Sequence, residues 1–226
     1  MQKQSSSENR HKPLEPTLPV DLGVRSQRQR IIEAMLSSCA EKTYAATTIS
    51  DIVGRASISR TTFYKHFPDK RACFDATLDF CLEQLRAVAS ASVSAADSPA
   101  EAVHKGSAAL LEALAARPAL AQVLAAEAIA VDPATPLRYR SVLIPALEGL
   151  WRGHLPPRPE TDPGLASGRA QLLVFSRVAG GRADQLPQLQ PEIVYLSLAP
   201  FVGHAEALRQ SRRATAAVRR DPVPSG

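Results

Sequence analysis

Cysteine is scarce in this chain: Cys39, Cys73 and Cys81 are the only three among 226 residues. An odd number, without a Cys-x-x-Cys pair, excludes a disulfide framework. Cys73 and Cys81 stand eight positions apart on one expected helix, about 12 Å of rise, which is too far for a bridge. We therefore expect buried thiols that pack like small hydrophobes; whether Cys39 approaches either is left open. Long apolar runs are missing as well. The longest stretch without Lys, Arg, Asp or Glu is Ile193–Ala205, and it contains Pro200 and His204, short of the roughly 18–20 apolar residues of a spanning helix. The opening residues MQKQSSSENRHKPLEPTLPV have no apolar core, so no secretory signal, no membrane partner and a cytoplasmic, reduced location are expected. The common nucleotide, nucleophile-elbow and zinc-protease signatures are absent, and His104, His154 and His204 are scattered without ligand spacing. No enzyme activity, cofactor or metal is indicated.

What is present is ordinary for a soluble globular chain: 45% apolar and 22% charged residues, with a net charge of +5. The basic balance suits an anionic partner such as nucleic acid, but carries little weight alone.

The periodicity is helical throughout. Residues 1–23 are rich in Ser, Gln, Lys and Pro and read as a mobile arm. Helical spacing begins near Val24, with Ile31, Ile32, Met35, Leu36 and Cys39 on one face. Three short elements follow. Thr48 with Asp51 fits a capping box, Ser59 caps a second helix over Arg60–His66, and Asp69 caps a third. Longer helices are expected from Asp69 onward, then from Ser98-Pro99, from Pro118, from Pro136, from Leu165 to Ala179 and from Pro191 to Arg213. Leu155–Asp162 reads as a loop. No segment alternates like a strand. The expected fold is all-α, with about nine helices: a helix-turn-helix domain over 24–70, a helical regulatory and dimerisation domain over 71–213, and a flexible tail over 214–226.

The sharpest signal is Thr47–Arg71, TTISDIVGRASISRTTFYKHFPDKR. Two short helices joined by a tight turn form the DNA-reading helix-turn-helix unit. Phe63 and Phe67, four apart, share a face with Ile58 and can pack on Ile49, Ile52 and Val53. At 100° per residue, Thr61, Thr62, Tyr64 and Lys65 point away from that face. They carry the hydroxyls, phenol and cation that bond phosphates and base edges. Between Arg55 and Arg71 five cations face one anion, Asp69.

Arg30–Leu78 resembles the N-terminal domain of the TetR family of bacterial transcriptional regulators. The matching residues include Arg28, Ile31, Ala34, Ala40-Glu41-Lys42, Tyr44, Thr47-Thr48, Asp51-Ile52, Ala56, Ser59, Phe63-Tyr64, His66-Phe67 and Lys70. The resemblance implies that Thr48 holds a phosphate. It places Ser59, Arg60, Thr61, Thr62, Tyr64, Lys65 and His66 in or beside the major groove. Lys70 would grip a further phosphate at a helix N-terminus. Where the family commonly has Gly, this chain has Thr43, Ser57 and Thr61, so Ser57 is expected to strain or shift its turn.

The resemblance also implies a homodimer that binds a double-stranded DNA operator and an apolar or amphipathic small-molecule effector. The late apolar stripes Leu172, Leu173, Phe175, Val178 and Ile193, Leu196, Phe201, Val202, Ala205, Leu208 are candidates for a four-helix dimer interface; closure of the monomer's own core is the alternative. The pocket would lie among Cys81, Leu85, Leu110, Leu114, Val123, Glu127, Tyr139, Val142 and Trp151. Glu127 sits in the apolar run VLAAEAIAV and reads either as a solvent-facing side chain or as a pocket carboxylate. The expected function is a repressor released by its ligand. The alternatives are a ligand-independent regulator, and a helical carrier or enzyme that keeps the helix-turn-helix only as structure.

Overall fold

The computed structural model describes residues 26–94, 96–127, 131 and 163–220. The expectations for the arm over 1–23, for the Pro136 helix with Tyr139, Val142 and Trp151, and for the loop over 155–162 lie outside them. Among the described residues there are nine α-helices and no strand.

Helix α1 spans Gln27–Lys42, opened by Ser26, whose hydroxyl accepts from the Gln29 N–H. Its buried face carries Ile31, Ile32, Ala34, Met35, Ser38 and Cys39. It stops where Thr43 takes a positive φ of 73°. Helix α2, Ile49–Ala56, starts at a full capping box: Thr48 accepts from the Asp51 N–H and Asp51 accepts from the Thr48 N–H. It ends in a Schellman turn. Ser57 is left-handed, φ 53° and ψ 52°; its N–H donates to the Gly54 carbonyl, and the Ile58 N–H donates to the Val53 carbonyl. Helix α3, Arg60–His66, is capped by Ser59, and helix α4, Lys70–Val93, by Asp69. Each of these three starts thus carries its own acceptor for an otherwise orphaned amide.

Helix α5 spans Pro99–Ala115 behind the Ser98 cap. Helix α6, Pro118–Gln122, passes directly into one π-helical turn, Val123–Glu127. Helix α7 spans Pro163–Ala179 and closes at Gly181, φ 69°. A 3₁₀ segment, Ala183–Leu189, leads into α8, Gln190–Val202, and then α9, His204–Arg220.

Two differences from the sequence reading appear at this end. The single helix expected over Pro191–Arg213 is two helices. Pro200 lies inside α8, and the break falls at Gly203, whose φ of 81° only glycine adopts readily. Helix α9 also continues through Arg220, past the boundary set at 213, with Ala214 wholly buried.

One core joins the two halves of the chain. Ile31, Met35, Ile52, Phe63 and Phe74 pack in the same cluster as Cys81, Leu85, Leu114, Val123, Val178 and Leu186. A second cluster of Val103, Val194, Leu198, Ala207 and Ala214 binds α8 and α9 to α5. Burying the Ile, Val, Leu, Phe and Met side chains among these stabilises by roughly 1.5–3 kcal/mol each. No single helix among the described residues is long and apolar enough to cross a membrane.

Candidate nucleic-acid interface

Helix α3 is held by its inner face. Phe63 is fully buried and Phe67 nearly so, their rings 5.9 Å apart. The Arg28 guanidinium of α1 lies 5.2 Å over the Phe67 ring, a cation–π contact that ties α1 to the end of α3. The outer face is open: Ser59, Arg60, Thr61, Tyr64, Lys65 and His66 are exposed and Thr62 is half-buried. Tyr64 is one of two large apolar side chains standing free of the described surface, at 53% exposure.

These side chains divide into committed and uncommitted groups. The Ser59 hydroxyl caps the helix, accepting from the Thr62 N–H at 3.0 Å, and lies 2.9 Å from the Thr62 hydroxyl. Arg60 reaches back to the Ser50 hydroxyl on α2 at 2.5 Å. His66 approaches the Gln27 side-chain oxygen at 3.5 Å. Thr48 bonds Asp51 through both its N–H and its hydroxyl. Among the described residues, Thr61, Tyr64 and Lys65 make no polar side-chain bond and are free for a partner.

The charge is less concentrated than the sequence count suggests. Arg55 is paired with Glu41, and Arg71 with Asp75. Lys70 is turned inward: its ammonium donates to the Tyr44 and Thr47 carbonyls at 2.9 Å each and lies 4.2 Å from the centre of the Tyr44 ring. Two of its three protons are therefore spent on the turn between α1 and α2. Across that turn Lys42 pairs with Asp51 at 2.7 Å, and this bond, with those from Thr48, holds the Asp51 carboxyl well below its usual range.

The described candidate pocket residues lie beyond the helix-turn-helix, from α4 to the π-helical turn. Cys81, Leu85, Leu114 and Val123 are buried in the shared core, with Leu110 packed against it. Glu127 is not solvent-facing: it is 7% exposed, and its carboxylate accepts the Tyr44 backbone N–H at 2.7 Å. A buried carboxylate needs such a donor, because desolvating it unpaired is costly. Nothing in the local pattern marks Tyr44 as its partner, which lies 83 positions away. The cysteines are buried, and burial pushes the Cys39 thiol up to about 11 and those of Cys73 and Cys81 to about 12. They remain protonated at neutral pH, as packed hydrophobes should. No cluster suited to a metal occurs among the described residues.

Of the expected dimer residues, Leu172 is exposed at 64%. Leu173, Phe175 and Ile193 are half-buried against the chain's own core. Leu196, Phe201, Val202 and Leu208 are half-buried, and Ala205 is exposed. Val178, at 5% exposure, packs within the chain's own core.

Residues 31–77 match the family model described as bacterial regulatory proteins, tetR family. The N-terminal domain belongs to the TetR family. The fold agrees over most of the chain. The fatty acid degradation regulator FadR from Bacillus halodurans superposes with a TM-score of 0.64 at 20% identity, covering 77% of this chain and 95% of that one. The TetR family regulator PfmR from Thermus thermophilus gives 0.57 at 22%, covering 78% and 97%. A gamma-butyrolactone receptor described as ArpA-like gives 0.57 at 19%, covering 84% and 97%. No curated protein matches the chain by sequence. In this TetR-like frame the uncommitted side chains of α3 stand on the helix that such a domain presents to DNA.

Proposed function

We propose that this chain is a sequence-specific, ligand-responsive transcriptional regulator, working in the cytoplasm as a homodimer. It acts as a repressor that leaves a palindromic operator when a small molecule binds. The observation that carries this reading is the outer face of α3. Thr61, Tyr64 and Lys65 are uncommitted on a helix whose other face is pinned by Phe63 and Phe67. Free donors on a rigid helix suit readout of base edges and phosphates.

One such helix reads only a few bases, so selectivity requires a second copy on an inverted half-site. Leu172, with its neighbours on α7 and α8, supports that pairing. A ligand that favours the DNA-incompetent arrangement shifts the population towards it; a hundredfold loss of operator affinity requires about 2.7 kcal/mol of coupling. The apolar surroundings of Cys81, Leu85, Leu114 and Val123 favour an apolar or amphipathic effector. So do the FadR from Bacillus subtilis solved with stearoyl-CoA and the gamma-butyrolactone receptor.

Fluorescence anisotropy tests the reading. Duplexes selected by the protein from a random pool are titrated at two salt concentrations against scrambled DNA of equal length. We expect a preference of about a thousandfold or more. Salt-sensitive binding without preference refutes sequence-specific regulation, and absence of binding by folded protein refutes DNA recognition altogether.

A further inference from the structure

Tyr44 lies in the turn between α1 and α2 and is held from two directions. Its N–H donates to Glu127 Oε2 at 2.7 Å. Its carbonyl accepts from Lys70 Nζ at 2.9 Å, and its ring lies 4.2 Å from that ammonium and 4.6 Å from the Phe74 ring. Lys70 also donates to the carbonyl of Thr47, the residue before the α2 cap. A single backbone unit thus joins the regulatory half of the chain, through Glu127, to the first turn of α4, through Lys70.

Glu127 is the last residue of the π-helical turn Val123–Glu127. A π turn accommodates one residue more than an α turn, and is a less stable arrangement often found at functional points. Relaxing it to α geometry rotates its end relative to its start by up to about 100°, enough to carry the Glu127 carboxylate off an amide 2.7 Å away. The same turn begins with Val123, which is fully buried in the shared core. A molecule that displaces Val123 therefore acts on the element that aims Glu127.

We propose that Glu127 is a positioning residue for DNA binding. Its carboxylate, set by the π turn, fixes the α1–α2 turn and so the placement of the helix-turn-helix, and rearrangement of the π turn releases it. This rests on the regulator reading above. Linkage then requires that DNA binding stabilise the π turn in return.

The test uses the full chain and a duplex that the wild-type protein selects from a random pool. Glu127→Ala is expected to weaken duplex binding about tenfold, and to speed hydrogen exchange at the Tyr44 amide at least tenfold while leaving Ile52 and Phe63 protected. Glu127→Gln, which keeps an acceptor oxygen of the same reach, is expected to restore binding to within about threefold of wild type. Bound duplex is expected to slow exchange across Val123–Glu127 in the wild-type protein. If Glu127→Ala does not fold, Glu127→Asp, whose carboxylate is drawn back by one methylene, is expected to show the same loss. Wild-type affinity in the Ala or Asp variant, or unchanged exchange at Val123–Glu127 on duplex binding, overturns the proposal. If the wild-type protein selects no duplex, the regulator reading fails by itself. The Tyr44 exchange rate then judges the tie alone: faster in the Ala or Asp variant supports it, unchanged overturns it.

Discussion

Thr43 ends α1 with φ 73° and ψ 158°, a region populated almost only by glycine, where a residue with a side chain costs of order 1–3 kcal/mol. A β-branched residue belongs at the upper end of that range. The side chain returns little: its hydroxyl accepts from the Ala46 N–H at 3.5 Å, in an exposed position. The bonds that shape the turn, from the Thr47 N–H and hydroxyl, go to the Thr43 carbonyl and survive any substitution. Thr43→Gly therefore removes about 2–3 kcal/mol of strain and costs up to about 1 kcal/mol through the freer unfolded chain. The expected net stabilisation is about 1–2 kcal/mol, or about 3–6 °C in Tm for a chain of this size. Thermal unfolding followed by circular dichroism measures it. Thr43→Ala, which keeps the positive φ, is the control and should gain less than Thr43→Gly. Thr61→Gly, inside the regular turns of α3, should lose about 0.5–1 kcal/mol. A Thr43→Gly variant that melts at or below the wild-type temperature refutes the strain argument.

The other expectations can be checked with the same protein. Lys65→Ala should weaken binding to a selected duplex and flatten its salt slope by roughly one unit, whereas Tyr64→Ala should weaken binding with the slope kept; wild-type binding in both removes α3 from the interface. Lys70→Ala should cost about 1–3 kcal/mol in denaturant unfolding, since it leaves the Tyr44 and Thr47 carbonyls without their charged donor; full stability with a flattened salt slope would return Lys70 to phosphate binding. Burial, opposed by the Gln210 bond and aided by the Arg213 charge, holds His104 below its usual value of 6.5. The unfolded chain then takes up the proton first, and stability is lost as pH falls below about 6.5 towards the folded value. His104→Gln should flatten that limb of the pH–stability curve, and an unchanged limb assigns the loss to other groups.

The helix-turn-helix was legible because its signals are short-range. Thr48 with Asp51, Ser59 and Asp69 each cap within three residues, and Phe63 with Phe67 shows the buried face within one helical turn. The positive φ at Thr43 and Ser57 falls at two of the three positions where the resemblance implied glycine. What stayed hidden depends on distant partners. Glu127 finds Tyr44 across 83 positions. Lys70 donates to two carbonyls that only the folded turn brings near. The break at Gly203 was masked by Pro200, the stronger local breaker, which α8 accommodates. Val178 has an apolar helical spacing that suits a partner subunit and its own core alike, and only packing decides between them.

The three side-chain caps at Thr48, Ser59 and Asp69, with the Schellman turn at Ser57, place every boundary from α2 to α4 within a few residues of the group that enforces it. The geometry of α2 against α3 is consequently stored inside a single short stretch of chain and travels with it as one piece. On the proposed regulator reading, exchanges at Thr61, Tyr64 and Lys65 retune which bases a half-site prefers without altering how far apart two half-sites lie. On the same reading that spacing falls to α7, α8 and the junction at Tyr44. The chain separates its vocabulary from its grammar, and each is open to change while the other is held constant.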